Sequence, residues 1–261
     1  MDFDNNKEKV VVSMTSFPAA IPYAIEAVKS LLKGNVLPDK LVLYVTKSQF
    51  GDKGLPQELL QLEKGNEIFE IRDYPKDIRS YRKLIPALKD FPDSIIVTVD
   101  DDVIYDKDML KVLLELHKKD PESILAHRAK KIIPDKPYKK WQKYRWYHFL
   151  KKKYYYDFRN IQTGVGGVLY PPHSLDEKFL NENLFTEIAP TTDDLWFWAA
   201  AISNNRYVVP VPFGQNKPKG LGKPKSLSLK TTNFKEGVDN NFRAFQNILN
   251  HFSYLKEKIG N

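Results

Sequence analysis

Short apolar runs alternate with amphipathic stretches along the first half of the chain, and this alternation constrains the fold more than any other feature. The runs with the length of buried strands are Val10–Met14, Leu41–Thr46, Glu67–Arg72, Ser94–Val99 and Ser123–Ala126. The intervening stretches predicted as helices are Ile21–Leu32, Pro56–Glu63, Tyr81–Lys89 and Lys107–Lys118. Strands that alternate with helices form βαβ units and a mostly parallel sheet. The sequence therefore predicts an α/β fold with a central sheet flanked by helices.

The second half is less regular. Its predicted elements are a glycine-rich strand within 162–172, a helix over 191–205 with Thr192 as its N-cap, a strand at Tyr207–Val211 and an apolar helical stripe within Phe242–Ile259. We expect the stripe to form a C-terminal helical segment that packs on the core. The chain has 261 residues and no internal repeat.

Composition and charge exclude several classes of protein. The absence of cysteine excludes a disulfide framework and a thiolate metal site. Met1–Lys9 has no apolar segment like that of a signal peptide, and no stretch approaches the roughly 20 apolar residues of a membrane span. We therefore expect a cytoplasmic protein. The formal net charge of +8 predicts an anionic partner, and the positive charge is strongest in 130–159 and 217–235.

Carboxylates follow two of the predicted strands, where ligands of open α/β sheets bind. Asp100, Asp101 and Asp102 come directly after Ser94–Val99, and Asp73 follows the third strand. The carboxyl ends of parallel strands meet at one crevice, so these residues are expected to converge there with Thr15 and Ser16. Three adjacent carboxylates repel one another, and a divalent cation such as Mg²⁺ or Mn²⁺ would offset that repulsion. A solvated acidic turn is the alternative, and the βαβ context favours the metal site.

The sequence resembles a known family of enzymes at this point. A strand followed by Asp-x-Asp resembles the DxD motif of GT-A glycosyltransferases, which use nucleotide-sugar donors. The chain is more specifically similar to bacterial glycosyltransferases of cell-surface polysaccharide assembly. The segments that carry the similarity, in the same order, are VVVSMTSFPAAI (10–21), RKLIPAL (82–88), IIVTVDDDVIY (95–105), GVGGVLYPP (164–172) and TDDLWFWAAA (192–201). The resemblance implies a GT-A, Rossmann-like fold in a single catalytic domain, with a nucleotide-sugar half at about 1–128 and an acceptor half at about 129–261.

The resemblance also implies roles for individual residues. Those implied for donor binding are Thr15, Ser16, Phe17, Pro18, Asp73, Lys83, Asp100, Asp101, Gly166 and Gly167. Asp102 would be the principal ligand of a divalent metal, Mn²⁺ or Mg²⁺, and Asp100 would contact the metal or the ribose. The triple aspartate leaves room for Asp101 to share the metal role. Asp193 or Asp194 would be the catalytic carboxylate.

Some of these residues have simpler structural interpretations. Asp193 and Asp194 begin a predicted helix, where carboxylates cap backbone N–H groups and complement the helix dipole without any catalytic role. Gly164, Gly166 and Gly167 suit either a close approach to a ligand or a bulge. His127 follows the fifth strand and is more often a satisfied core or edge residue than a ligand. The sequence alone leaves these alternatives open.

Residues 138–159 contain 10 aromatic and 8 basic side chains in 22 positions. Such a stretch forms a solvated basic face, an acceptor-binding or anionic membrane surface, or a platform for nucleic-acid bases. The residues that indicate a membrane surface are Trp141, Trp146 and the tyrosines at 154–156, which lie beside lysines in the sequence. We expect peripheral association at the inner face of the cytoplasmic membrane.

The leading hypothesis for function is a metal-dependent, inverting transfer of a sugar from a nucleotide sugar, with UDP as the expected nucleotide. The acceptor would be a hydroxyl group of a glycan or lipid-linked glycan, and no nucleic-acid partner is expected. The alternatives are a basic nucleic-acid-binding α/β protein and a metal-dependent nucleotidyltransferase or phosphotransferase.

Overall fold

The structure is a computed structural model that describes residues 8–144, 155–212, 218–227 and 239–260. Its strands are β1 (Val10–Thr15), β2 (Lys40–Val45), β3 (Phe69–Asp73), β4 (Ile95–Thr98), β5 (Val103–Ile104), β6 (Ile124–Ala126), β7 (Ala129–Lys131), β8 (Gln142–Lys143), β9 (Asn160–Gln162), β10 (Val168–Tyr170), β11 (Val208–Pro210) and β12 (Lys219–Gly220). Its α-helices are α1 (Ile21–Leu31), α2 (Gln57–Lys64), α3 (Ile85–Asp90), α4 (Met109–His117), α5 (Glu182–Ile188), α6 (Asp193–Ser203), α7 (Asn240–His251) and α8 (Tyr254–Lys258).

Seven strands form the central sheet, in the order β11-β6-β10-β4-β1-β2-β3. The pairs β1–β2, β2–β3, β1–β4 and β6–β11 are parallel, and β10 alone runs antiparallel, between β4 and β6. The prediction of a mostly parallel sheet flanked by helices is therefore confirmed. The sheet takes β10 and β11 from the part of the chain after residue 128, so the two predicted halves share it.

Two small antiparallel sheets lie beside the central one. In the first, β12 pairs with β5 and places Lys219 opposite Ile104. In the second, β7 pairs with both β8 and β9. The predicted glycine-rich strand within 162–172 is therefore two strands of different sheets, β9 and β10, joined by the turn that contains the glycines.

The two faces of the central sheet bury separate apolar layers because successive strand side chains point to opposite faces. On one face Val12 and Leu43 pack with the buried sides of α1, α2 and α4. On the other face Val11 and Tyr44 pack with α5, α6 and the C-terminal helices. The helix α6 is buried on nearly all sides, which accounts for its uniformly apolar sequence after the first turn. The C-terminal stripe packs on this layer through Phe245 and Leu255, as predicted.

One helix that was predicted to be continuous is interrupted in the structure. Tyr81–Lys89 was expected as a single helix, but the chain forms a 3-10 turn at Arg79–Lys83 and then α3 from Ile85. Pro86 explains the break, because proline has no N–H to donate to the preceding turn, and Leu84 between the two elements has a non-helical φ of −120°. The break leaves Arg82 and Lys83 at the end of a tight turn under the strand ends, where both are buried.

No helix in the described ranges has the length and apolarity that a bilayer crossing requires.

Candidate active site

The site lies at the carboxyl ends of the parallel strands. Asp100–Asp102 leave β4 next to β1, and β1 ends at Thr15. Because β10 runs in the opposite direction, its first residues and the preceding Gly164–Gly167 turn reach the same edge of the sheet. The start of α6 adds Asp193 and Asp194 to that edge. The structure therefore brings the Thr15–Ser16 segment and Asp100–Asp102 together, whereas Asp73 lies at the far edge of the sheet, on β3.

Lys83 is the centre of the first charge cluster. Its ammonium lies 3.1 Å from Asp100 Oδ1 and 3.1 Å from Asp193 Oδ2. The side chain is only 8% exposed, so the two ion pairs form in a largely dehydrated setting. Burial by itself would lower the pKa of Lys83, but the carboxylates of Asp100, Asp193 and Asp194 outweigh it and hold the pKa well above its usual value. Lys83 is thus a permanent cation that joins the β4 end to the start of α6.

Gly164 lies directly beside this pair. A Cβ atom at that position would lie 2.8 Å from Lys83 Nζ, so the ammonium would have to move, and 3.0 Å from Asp100 Oδ1, which is a tight contact. The absence of a side chain lets the backbone of the turn lie directly against the ion pair. The close approach at Gly164 is to charged side chains of the protein, and the predicted approach of the glycine segment to a ligand stays a prediction.

Asp193 and Asp194 have different surroundings although they are neighbours in sequence. Asp193 is buried, pairs with Lys83 and accepts a 2.8 Å hydrogen bond from Ser80 Oγ. Asp194 is partly exposed, and its Oδ2 accepts a 3.3 Å hydrogen bond from the Gly164 N–H. The protein packed around its carboxylate removes water from it, and this desolvation and the neighbouring Asp193 raise the pKa of Asp194 to about 7, with Lys83 acting in the opposite direction.

The side chains at the start of α6 do not make the capping contacts that the simpler interpretation expected. Thr192 stands at the N-cap position of α6, as predicted, but its side chain makes no capping hydrogen bond. Asp193 instead directs its carboxylate to Ser80 and Lys83, on a different segment of the chain. The favourable position in the helix dipole remains, but it does not account for those long-range partners.

Lys223 is the centre of the second charge cluster. Its ammonium lies 2.8 Å from Asp101 Oδ1 and 3.0 Å from Asp102 Oδ2. The segment that carries it is fixed to the residues after the triplet by the β12–β5 pairing and by the Leu221 N–H, which donates to the Asp102 carbonyl. Asp101 also accepts a 2.6 Å hydrogen bond from Ser16 Oγ. We refer to Lys83, Asp100, Asp101, Asp102, Asp193, Asp194 and Lys223 as the acidic cluster.

The side chains of the three adjacent aspartates have different surroundings. The side chain of Asp101 is 10% exposed and turns toward Ser16, whereas that of Asp102 is 31% exposed. Burial raises the pKa of Asp101, and Lys223 partly reverses this. The backbone of Asp100 is held by Tyr105, whose hydroxyl accepts from the Asp100 N–H at 2.7 Å. Asp102 is therefore the member of the triplet most open to a ligand.

Arg82 connects the ends of β1 and β2 by hydrogen bonds. Its guanidinium donates to Thr15 Oγ1 at 2.8 Å, to the Ser16 carbonyl at 2.7 Å and to Thr46 Oγ1. The side chain is buried, so these bonds fix the loops after β1 and β2 with little access for water. Thr15 and Ser16, predicted to border a donor, are thus held in place at the end of β1.

The remaining predicted residues lie farther from the charged groups or have structural roles. Phe17 and Pro18 lead into a 3-10 turn, with Pro18 exposed. Asp73 is the last residue of β3 and accepts a 2.8 Å hydrogen bond from the Lys47 N–H. Because β3 lies three strands from β4, Asp73 is about 14 Å across the sheet from the aspartate triplet. His127 points its Nε2 at the Met109 carbonyl, 3.0 Å away, as a satisfied edge residue would.

Gly166 and Gly167 are explained by the turn itself. Both have positive φ, 103° and 104°, in a region that side chains disfavour. A Cβ atom at Gly167 would also meet Met109 Sδ at 3.0 Å. Conformation and packing therefore account for these two glycines, and their predicted contact with a donor stays a prediction.

Only part of the basic aromatic stretch 138–159 lies within the described residues. Trp146, Lys151–Lys153 and Tyr154 fall outside them. Trp141 is buried against Phe245 and donates its indole N–H to the Lys136 carbonyl at 2.9 Å. The interpretation of Trp141 as a membrane anchor is wrong, because its ring fills the protein core.

Comparisons with known proteins agree with this architecture. No protein-family model and no curated protein matches the chain. A mannosyltransferase from Pyrobaculum calidifontis, solved in complex with GDP-Man and Mn²⁺, superposes with a TM-score of 0.52 at 14% identity, over 80% of this chain and 56% of that one. S. aureus TarS superposes with a TM-score of 0.50 at 14% identity, over 95% of this chain and 73% of that one. The chain thus spans little more than half the length of the mannosyltransferase chain.

The chain has a GT-A fold. At 14% identity the likeness establishes the architecture alone. In this GT-A sheet the acidic cluster lies at the strand ends next to β4, where the antiparallel β10 interrupts the parallel order.

The side chains at this edge of the sheet include carboxylates, the oxygen ligands that Mg²⁺ and Mn²⁺ prefer. Among the described residues no three carboxylate or imidazole groups converge to form a complete protein cage. Mg²⁺ and Mn²⁺ commonly bind through one or two carboxylates and complete their shell with water and substrate phosphates. Asp101 and Asp102 already share a cationic group, the Lys223 ammonium, which shows that this end of the GT-A crevice accommodates positive charge.

Sequence reasoning missed three residues of this GT-A crevice. Ser80 and Arg82 lie in the same turn as the predicted Lys83, but nothing local distinguishes them from surface residues. Lys223 belongs to a Pro/Gly/Lys-rich loop with four lysines between 212 and 226. The excess of carboxylates in the triplet indicated that some cation must approach it, but the sequence does not identify which lysine does.

Proposed function

We propose that the chain is a glycosyltransferase that moves a sugar from a nucleotide sugar to a hydroxyl group of a glycan. One observation carries the proposal: an aspartate triplet, a buried lysine and a carboxylate of raised pKa converge at the strand ends of a GT-A sheet. Transfer of a sugar needs a leaving diphosphate stabilised, a hydroxyl deprotonated and both groups aligned. The cluster offers side chains for each of these tasks.

The donor is proposed to lie along the carboxyl ends of β1 to β3. Thr15 to Pro18 would border the nucleotide, with Asp73 at the far end of the crevice. UDP is the expected nucleotide. A divalent cation held by Asp102 and Asp100 would offset the charge of the leaving diphosphate. Lys83 would act through its ion pairs, by fixing the orientation of Asp100 and Asp193.

Asp194 is the proposed general base, and Asp193 is a positioning residue. A base works best when its pKa lies near the working pH, and the pKa of Asp194 is raised to about 7. Asp193 has both oxygens engaged by Lys83 and Ser80, which suits positioning rather than proton transfer. As the acceptor oxygen bonds to the anomeric carbon, the bond to the diphosphate breaks and the hydroxyl proton passes to Asp194. A single displacement of this kind inverts the anomeric configuration.

The acceptor is proposed to be a glycan or lipid-linked glycan of a bacterial cell-surface polysaccharide. Such an acceptor would bring the enzyme to the inner face of the cytoplasmic membrane. The basic residues Lys151–Lys153 are the proposed contact with anionic lipid, since each basic residue near such a surface adds about 1 kcal/mol. Sedimentation with anionic vesicles, before and after change of these lysines to glutamine, tests this contact.

The test of function is a screen for nucleotide release. The protein is incubated with UDP-sugars and GDP-sugars in Mn²⁺, and the freed nucleoside diphosphate is measured. Asp102→Ala should lower the release by about 10²-fold or more, because charge stabilisation by a bound metal is worth several kcal/mol. The fold should persist, since the Asp102 side chain is partly exposed.

Asp93→Ala is the matched control, because Asp93 is an exposed aspartate that pairs with His173 outside the acidic cluster. Wild-type release by a folded Asp102→Ala protein contradicts the metal assignment. Failure to release nucleotide from any nucleotide sugar contradicts the proposed function. Nucleic-acid binding that falls steeply with salt and is unchanged in Asp102→Ala would favour the nucleic-acid alternative.

A further inference from the structure

A cavity of about 110 Å³ lies beside the small sheet of β7, β8 and β9. Its polar lining comes from His127, Arg128, Lys130, Lys143 and Tyr144, and no acidic residue lines it among the described ranges. We refer to this cavity as the basic pocket. A single water occupies about 30 Å³ of liquid volume, so the pocket has room for a group of several heavy atoms.

The basic pocket holds positive charge without local compensation. Lys130 is buried, and its ammonium lies 3.5 Å from the centre of the Tyr138 ring and 3.3 Å from the Tyr138 carbonyl. Arg128 and Lys143 are exposed at its rim, and neither forms an ion pair with a described residue. The next lysine along β7, Lys131, points to the other face and pairs with Asp157 at 2.6 Å. The two faces of β7 are therefore different, and only the pocket face lacks a carboxylate partner.

The pKa of Lys130 is consistent with the same imbalance. Burial, then Arg128 and Lys143, lower the pKa of Lys130 to about 8, and Asp239 and Asp194 only partly reverse this. An anion in the pocket would remove much of this electrostatic cost. Arg128 adds a planar fork of donors that matches the oxygens of a phosphate or a carboxylate.

The pocket is connected to the proposed base by short links. The Arg128 carbonyl accepts a 2.9 Å hydrogen bond from the Thr163 N–H, next to Gly164. Gln162, which pairs with Ala129 across β7 and β9, donates to the Asp194 carbonyl at 3.0 Å. Most of the pocket lining comes from residues after 128, the half of the chain that the resemblance implies for the acceptor, so we assign a ligand held there to the acceptor side.

We propose that the basic pocket binds an anionic group, a phosphate or a carboxylate, carried by the acceptor glycan. The inference rests on the proposed function for the identity of the ligand, but the anion site itself does not. It makes the acceptor a charged glycan and assigns Arg128 and Lys143 as residues that select it.

The first experiment uses inorganic phosphate as the probe, titrated calorimetrically into the full chain with EDTA present. The double variant Arg128→Gln/Lys143→Gln should raise the Kd for phosphate at least tenfold. The control Lys119→Gln/Lys140→Gln removes the same net charge from exposed lysines outside the pocket and should leave the Kd within about twofold. Because the changed side chains are exposed, both variants should fold like the wild type, which circular dichroism checks.

Two further arms identify the source and chemistry of the anion. Saturating UDP should leave phosphate binding unchanged, because the diphosphate is expected at the acidic cluster. Acetate in place of phosphate shows whether a carboxylate suffices. Phosphate binding that is absent from the wild type, displaced by UDP, or equal in the two double variants overturns the proposal.

A donor assay separates this inference from the proposed function. The pocket variant should release nucleoside diphosphate from the nucleotide sugar into water at the wild-type rate, since neither residue contacts the acidic cluster. Phosphate binding at the pocket without any nucleotide release by the wild type would remove the proposed function and keep the anion site. Nucleotide release by the wild type, together with a phosphate Kd that does not change in the pocket variant, would keep the proposed function and remove the anion site.

Discussion

The acidic cluster contains Asp194 and the basic pocket is linked to Asp194 through Gln162, yet the two regions are opposite in charge. In the acidic cluster five aspartates face two lysines, and each lysine bridges two carboxylates within 3.1 Å. In the basic pocket three cationic side chains meet without an acidic lining residue among those described. The acidic cluster has an excess of negative charge and suits a diphosphate bound through a cation. The basic pocket has an excess of positive charge and suits an anion.

This contrast indicates a division of labour. Groups in the acidic cluster are fixed by short ion pairs and hydrogen bonds, as expected where reacting atoms must be aligned. Groups of the basic pocket include two exposed, long side chains, as expected where a substrate is attracted and held. We therefore expect substitutions in the acidic cluster to lower kcat and substitutions in the basic pocket to raise KM.

The largest expected effect belongs to Asp194. Asp194→Asn should lower kcat by about 10²–10⁴-fold, because a general base contributes that much to the rate. Asp193→Asn should lower kcat less and stability more. It removes one of the carboxylates that hold the buried Lys83, at a cost of about 1–3 kcal/mol in the free energy of unfolding. Steady-state kinetics and thermal melting of both variants provide the measurement.

The pH profile is the control for this assignment. Asp194 accepts a proton only when its carboxylate is ionised, and its pKa is raised to about 7. Wild-type kcat should therefore fall as the pH drops through about 7, approaching tenfold per pH unit. The residual activity of Asp194→Asn should lack this acidic limb. Wild-type turnover by Asp194→Asn, or an unchanged limb in that variant, contradicts the role.

A smaller effect is expected where the backbone meets the Lys83 ion pair. Gly164→Ala places a Cβ atom 2.8 Å from Lys83 Nζ, so the Lys83–Asp100 pair must shift. A displacement of about 1 Å in such an alignment can lower the rate by about 10²-fold. Gly220→Ala is the control, since a Cβ atom there meets open space. Equal turnover by the two variants would mean that the alignment of this pair does not matter for the reaction.

The smallest effect concerns the metal. Lys223 places a positive charge between Asp101 and Asp102, where it opposes a second cation. Lys223→Gln should tighten Mn²⁺ binding about tenfold, which corresponds to about 1.4 kcal/mol of relieved repulsion. Titration of Mn²⁺ by calorimetry or by its paramagnetic effect on water relaxation measures this without any turnover. Weaker Mn²⁺ binding in this variant would show that Lys223 organises the metal site instead of competing with it.

Several particular elements could be predicted from the sequence. The strand before the triplet and the amphipathic α1 and α4 follow from local periodicity, and the structure confirms them. The break at Pro86 was readable from the proline but was not predicted. The inward turn of Asp101 was not readable, because adjacent aspartates look alike until their partners are known. The basic pocket was also missed, since its lining comes from β7, β8 and the end of β11.

The sequence by itself determined the succession of strands and helices, the strand-end triplet and the two aspartates at the start of α6. Those features depend on neighbours a few residues apart, through side-chain alternation in strands and helical periodicity. Only the tertiary structure decided which lysine meets which carboxylate and which face of β7 lacks acidic partners. Ser80 and Asp193 are 113 residues apart, and Lys223 and Asp101 are 122 apart. Contacts over such separations depend on how β10 enters the sheet and where the last loop crosses it, which local periodicity does not encode.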